Sequence, residues 1–292
     1  MFINLIYLVL IPMILNQIKT VLLLTLLTVF VLIMGFVLGG ESGLTIAFVF
    51  VILFNIFSYW FSDKLILKIN GAKLATYSVY TKLNDIVKEI SERAGIKKPK
   101  IYIIDKNFPN AFATGRSPSK SAIAVTEGLL ELLSERELKG VIAHEISHIK
   151  NRDTLISTIA VILTGVISYI AILARWGMIF GSKDGDSSGL FEILILTILA
   201  PFIATILRFA ISRTREYIAD ESGAKIIKDP LALASALKKL ENYPDKPKKG
   251  NQAIASMYIV NPFASSKLLK IFSTHPTTVN RIKKLRKIDL NL

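Results

Sequence analysis

Val141-Ile-Ala-His144-Glu145-Ile-Ser-His148-Ile149 is the stretch on which both the fold and the chemistry of this chain turn. Read as a helix, it sets His144 and His148 one turn apart, about 6 Å along the axis, so both imidazoles leave the same face and reach one metal ion. Glu145 lies beside that face. A carboxylate there can take a proton from water, which is what an H-E-x-x-H helix supplies to a zinc hydrolase. The helix itself is predicted by Ser134 with Glu137, a capping box, and by the apolar stripe Leu138, Val141, Ile142 and Ile149. The chain has three histidines in 292 residues, so two of them flanking a glutamate at this spacing outweigh the alternative of two surface histidines on an amphipathic helix.

The composition fits a protein divided between lipid and water. With 52% hydrophobic residues the chain is too apolar for an ordinary soluble protein, and with 20% charged residues it is too polar to lie wholly in a bilayer. It contains no cysteine, which excludes disulfides and thiolate ligands and leaves nitrogen and oxygen to hold any zinc.

Four apolar runs are predicted to span the membrane. Residues 2–15 are apolar but short for a span, contain Pro12 and read as an interfacial lead-in. The runs 21–38 and 44–61 are joined by Gly39-Gly40-Glu41-Ser42-Gly43, and the second ends in the interfacial aromatics Tyr59 and Trp60. The runs 155–180 and 190–211 are separated by the polar stretch from Gly181 to Gly189. The expected organisation is therefore a membrane region over 1–61, the first part of a catalytic domain with the H-E-x-x-H helix over 62–154, a transmembrane hairpin over 155–211, and the second part of the domain over 212–292.

Within the aqueous segments, Val79, Leu83, Ile86, Val87, Ile90 and Ala94 recur at helical spacing, with Gly95 and Pro99 ending the helix. Lys100 to Asp105 and Ser121 to Val125 read as strands, with Asn110 to Gly115 between them, a small sheet just before the metal helix. Leu231 to Leu240 reads as a helix, Ser256 to Val260 as a strand, and Pro276 opens a last helix.

Basic charge follows the same map. Of the 36 Lys and Arg, 16 fall in 62–154 and 16 in 213–292, whereas the two short turns on the opposite side hold one, Lys183. By the positive-inside rule the two aqueous segments are cytoplasmic and fold together. The net charge of +14 thus reads as topology and attraction to anionic lipid, and nucleic acid, the lesser alternative, is not expected as a partner.

A catalytic zinc needs a third protein ligand. The extension H-E-x-x-H-x-x-G-x-x-H is absent, because Asn151 and Thr154 stand at its key positions. Past the fourth run, Glu216 and Asp220 share a helical face one turn apart. Glu216 is a candidate for the third ligand, and Asp220 for a hydrogen bond to the far ring nitrogen of a liganding histidine. An ordinary exposed acidic helix is the alternative.

Taken together, His144-Glu145-Ile-Ser-His148, Ser212-Arg-Thr-Arg-Glu216-Tyr-Ile-Ala-Asp220, Phe272-Ser-Thr-His275-Pro276 and Pro109-Asn-Ala-Phe-Ala-Thr-Gly115 resemble the HtpX family of membrane-bound stress-response zinc proteases, relatives of the CAAX prenyl endoproteases. The match covers nearly the whole chain, with four motifs in order. The resemblance implies a gluzincin with His144, His148 and Glu216 as ligands of one Zn2+, Glu145 as general base and acid, and Asp220 behind a ligand. It further implies that Asn110, Ala111, Phe112 and Ala113 bind the substrate backbone, that His275 stabilises the oxyanion and that Arg281 assists nearby. A turn role for Asn110 and a helix-capping role for His275 are the simpler readings of those two residues.

The expectation is thus a mainly α integral membrane protein, with about four transmembrane helices and a zincin-like α+β catalytic domain containing a small sheet. Its activity would be that of a zinc endopeptidase of the cell membrane, multi-pass, with the catalytic domain facing the cytoplasm. Its substrates would be misfolded or damaged membrane proteins or unfolded polypeptides. The sequence assigns no oligomeric state. A CAAX-type prenyl endoprotease is the rival enzyme, though only four spans are available. A membrane metal-binding scaffold without turnover is the rival from outside enzymes, and Glu145 argues against it.

Overall fold

The computed structural model describes residues 2–160, 162, 213–244, 259 and 276–289 of the 292. The predicted runs 155–180 and 190–211 thus fall almost wholly outside the described residues, as do most of the predicted strand 256–260 and His275.

Helix α1 runs from Phe2 to Ile69 and breaks at Gly39 and Gly40, whose backbone leaves the helical region. The two arms fold back on each other. Asn55 Nδ2 donates to Thr28 Oγ1 at 3.0 Å across the pair, and Gly35 lies so close to Gly43 and Ala47 that no side chain fits between them. Small residues permit such approach where lipid gives helices no hydrophobic reason to associate. The glycine-rich stretch expected as a tight turn is therefore the hairpin bend, while the lead-in at 2–15 is continuous with the first arm. Gly39–Ile69 is long and apolar enough to cross a membrane, and Leu24–Ile33 is a shorter apolar helix. Ile46, Phe48 and Leu53 are among its exposed apolar side chains, as a lipid-facing surface requires.

The last turns of α1 rest on a four-stranded sheet of order β1-β2-β4-β3, formed by β1 Lys73–Leu74, β2 Lys100–Ile104, β3 Ala111–Ser117 and β4 Lys120–Thr126. Strands β2 and β4 are parallel and the other two pairings antiparallel, which leaves β3 at one edge. Alternation along each strand serves two cores. Ile104, Phe112, Ala122 and Ala124 pack on Ile66 and Leu67 of α1, whereas Ile101, Ile103, Ala111, Ala113, Ile123 and Val125 face the helices of the opposite layer. Arg116 at the end of β3 stacks over Trp60 of α1, 4.1 Å from the ring centre, and so ties the sheet to the apolar hairpin.

In the helical layer, α2 (Thr81–Ala94) ends at Gly95, whose φ of 71° is the left-handed cap expected of it. Val79, expected in its buried stripe, lies outside the helix and is exposed, because the chain is still turning there. After α3 (Glu127–Leu132), α4 (Glu135–Lys150) occupies the centre of the domain, with α5 (Arg213–Ile227), α6 (Pro230–Glu241) and α7 (Thr278–Asp289) around it. The capping box of Ser134 and Glu137 is formed in both directions. Val141, Ile142 and Ile146 of α4 are fully buried, and each such side chain stabilises the fold by roughly 1.5–3 kcal/mol relative to exposure.

Helix α4 does not run on into the third apolar run. It stops at Lys150, Arg152 adopts a left-handed φ of 58°, and a new helix begins at Asp153.

Candidate metal centre

His144 and His148 leave α4 on the face turned to α5, where Glu216 stands in the first turn. Their Nε2 atoms are 3.2 Å apart; Glu216 Oε2 is 3.6 Å from His144 and Oε1 3.5 Å from His148. Among the described residues, these three form the group of side chains able to hold a metal ion, their ligand atoms lying within 4.8 Å of one another. The close approach of α5 depends on Gly223. A Cβ there would stand 3.0 Å from the backbone of Ala143 and His144, so a glycine lets the carboxylates of α5 reach the imidazoles of α4.

The outer nitrogen of each imidazole is also held. His144 Nδ1 is 2.9 Å from Asp220 Oδ1, the partner expected from the one-turn spacing of Glu216 and Asp220. His148 Nδ1 is 2.9 Å from Asp153 Oδ2, a partner that the sequence reading missed. A carboxylate accepting from Nδ1–H turns the lone pair of Nε2 toward the shared point, the arrangement seen behind metal-bound imidazoles. Two nitrogens and one carboxylate, with both rings so oriented, are a donor set that suits zinc. The only signal for Asp153 in the sequence is its place shortly after the second histidine; the left-handed turn that brings it back was not foreseen.

Arg281, the largest fully buried side chain among the described residues, lies behind Asp220. Its Nε donates to Oδ2 at 2.8 Å and its Nη2 to Oδ1 at 2.6 Å, while Nη1 donates to the carbonyl of Ile259 at 2.9 Å and lies 3.6 Å from Glu216 Oε2. Burial would push the Asp220 carboxyl up, but the guanidinium and the bond to His144 hold it well below the usual carboxylate range. For His148, burial works downward and is outweighed by the bond to Asp153 and the charge of Glu216, which lift it to about 9. Arg215, one residue before Glu216, is buried too, and its charge acts on Asp153 and Glu216.

Glu145 is buried beside this group. Burial pushes its carboxyl above the ordinary value, against the pull of the two histidines, and the backbone N–H of Ala113 donates to it. That bond fixes the direction of the sheet edge. Asn110 exchanges hydrogen bonds with Thr126 of β4, so by antiparallel alternation Ala111 and Ala113 turn their N–H and C=O groups outward, toward α4. Of the residues expected to bind substrate, Ala111 and Ala113 thus present backbone at the edge. The Phe112 side chain packs in the core shared with α1, and the Asn110 side chain accepts from the N–H of Ile259 at 3.3 Å. His275 lies outside the described residues.

The family model described as Peptidase family M48 matches residues 79–289. The chain is similar to a protein of Pyrococcus furiosus described as Protease HtpX homolog, 48% identical over 279 residues, 94% of this chain and 96% of the relative. A protein of Persephonella marina with the same description is 49% identical over 277 residues, 92% and 96% of the two chains. Among solved structures, the crystal structure of S. mikatae Ste24p superposes with a TM-score of 0.51 at 18% identity, over 94% of this chain and 66% of that one. At that identity the likeness is one of fold, and this chain spans just under two thirds of that protein.

Proposed function

The chain belongs to peptidase family M48 and is a membrane metalloprotease; from that premise we propose that its metal is zinc and that it degrades misfolded or damaged membrane proteins and unfolded polypeptides at the cytoplasmic face of the cell membrane. The observation that carries the zinc reading is the convergence of His144, His148 and Glu216, with the first two rings each oriented by a carboxylate. These three would hold the ion, which when bound supplies a Lewis acid for a peptide carbonyl and lowers the pKa of water.

The chain's own residues do the rest. Glu145, buried beside the three ligands, takes the proton of the attacking water and returns it to the leaving amine. Ala111 and the carbonyl of Ala113, whose N–H is held by Glu145, offer outward backbone groups to which an extended polypeptide can add as a strand, a mode that reads backbone and tolerates many sequences. Asp220 and Arg281 orient His144. We assign His275 to the developing oxyanion on the strength of the motif Phe272-Ser-Thr-His275-Pro276. The four-span topology with cytoplasmic catalytic segments is supported by the segregation of 32 of the 36 basic residues to 62–154 and 213–292.

The test uses the full chain in detergent, stripped with a chelator and reloaded with zinc. The wild type should cleave itself and unfolded casein. The Glu145→Gln form should bind one zinc and lose cleavage by about 10²-fold or more, the usual share of a general base. Undiminished cleavage by Glu145→Gln would overturn the mechanism, and cleavage unchanged by the chelator would overturn the metal reading.

A further inference from the structure

We propose that Asp153 is a positioning residue of the metal centre: it sets the ring plane and tautomer of His148, and the left-handed turn at Arg152 is the device that brings it there. Three observations carry this. His148 Nδ1 and Asp153 Oδ2 are 2.9 Å apart, the same distance as between His144 Nδ1 and Asp220 Oδ1. Asp153 is 3% exposed, so the bond is shielded from water, where a carboxylate without such a partner is costly. And a helix continued past Lys150 would carry residue 153 about 140° around the axis from His148, away from its ring.

The chain avoids that outcome by breaking. Arg152 takes a φ of 58°, a conformation that costs an L-residue other than glycine roughly 1 kcal/mol or more and persists only where the surroundings require it. The requirement is visible on both sides of the turn. Before it, α4 is locked by its buried stripe. After it, Thr154 Oγ1 donates to the carbonyl of Gly115 at 2.7 Å and Thr158 Oγ1 lies 2.9 Å from Thr114 Oγ1, so the new helix is fastened to the edge strand β3. Held between these two anchors, Asp153 opens the new helix with its carboxylate turned back to His148. The centre therefore has two equivalent supports: Asp220 behind His144 with Arg281 on its far side, and Asp153 behind His148 with Arg215 close enough for its charge to act on it. Both ligands of α4 are thereby fixed before an ion arrives.

This inference rests on the metal reading given above, and the experiment separates the two. Full-length protein in detergent is stripped of metal, and its affinity for zinc is measured by chelator competition; the visible absorption of the cobalt-loaded form is recorded in parallel. Asp153→Ala should weaken zinc binding about 10–100-fold and alter the cobalt spectrum, the usual consequence of losing the partner behind a liganding histidine. Asp153→Asn keeps the shape and one acceptor and should fall between Ala and wild type. Arg152→Gly, which retains the turn, should leave both readouts unchanged. If Asp153→Ala fails to fold, the isosteric Asn form decides alone, with a weakening of about threefold or more expected. Wild-type affinity and an unchanged cobalt spectrum in the folded Ala form, or in the Asn form where Ala does not fold, would overturn the proposal. Failure of His148→Ala to lose zinc would instead sink the metal reading itself.

Discussion

Arg281 grips the Asp220 carboxylate at both oxygens, Nε to Oδ2 at 2.8 Å and Nη2 to Oδ1 at 2.6 Å, with both side chains buried. The bond joins the C-terminal helix α7 to the metal-bearing pair α4 and α5, because Asp220 also accepts from His144. A planar fork fits this task and an ammonium does not.

Removing one partner of such a pair leaves the other charge buried and unmatched. Arg281→Ala should therefore destabilise the protein by about 3–5 kcal/mol, and Arg281→Lys should restore only part of it. Thermal unfolding in detergent measures the loss. A change of under about 1 kcal/mol for Ala would show that the pair is not sealed from water.

Glu216 joins two nitrogens into a three-ligand set. Glu216→Ala should abolish stoichiometric zinc binding, whereas His275→Ala, which removes no ligand, should retain the ion and slow cleavage. Metal analysis of the two purified variants checks this, and the reverse pattern would exchange their roles.

Gly223 is expected to tolerate no side chain. Gly223→Ala places a methyl 3.0 Å from the backbone at Ala143 and His144, which has no freedom to yield. Overpacking of this kind typically costs 1–3 kcal/mol. Because the displaced helix carries Glu216, zinc affinity should fall together with the melting temperature. A form destabilised to that extent yet binding zinc as tightly as wild type would show that α5 moves without dragging its carboxylate.

Stability should depend on pH through Glu137. Burial would raise its carboxyl, but bonds from Lys239, Ser235 and Ser134 outweigh it and hold the group at about 2, against an ordinary value of 4.5. A folded-state value below the unfolded one means the contribution is fully present above pH 4.5 and is lost as pH falls from there toward 2. Glu137→Gln should thus be less stable than wild type at pH 7, by on the order of 1–2 kcal/mol, and the gap should close on acidification. Melting curves of both proteins between pH 3 and 7 read this out, and a gap constant over that range would contradict it.

Glu137 also shows how far the sequence could be read. Its local half, the capping box with Ser134, follows from a three-residue spacing. Its other half, bonds of 2.7 Å to Ser235 and to Lys239 of α6 about a hundred residues away, does not. The same division holds at the metal. The helix of His144 and His148, the common face of Glu216 and Asp220 and the left-handed cap at Gly95 are local properties of spacing and backbone freedom. Asp153 was passed over because helix continuation is the local default, and the turn that defeats it is set by anchors on β3, far off in sequence. The Asn110 side chain accepts from the N–H of Ile259, a partner far off in sequence that no local pattern announces.

Period and residue type are enough to settle an apolar hairpin bent at glycine, a metal-binding helix, and a ligand set without sulfur. Packing alone put Asp153 behind His148 and seated Arg281 against the Asp220 expected behind a liganding histidine. Asp153 and Arg281 reach their places through packing between distant elements, and the distances that matter there, a few tenths of an ångström around a hydrogen bond, are fixed by how whole helices seat against one another.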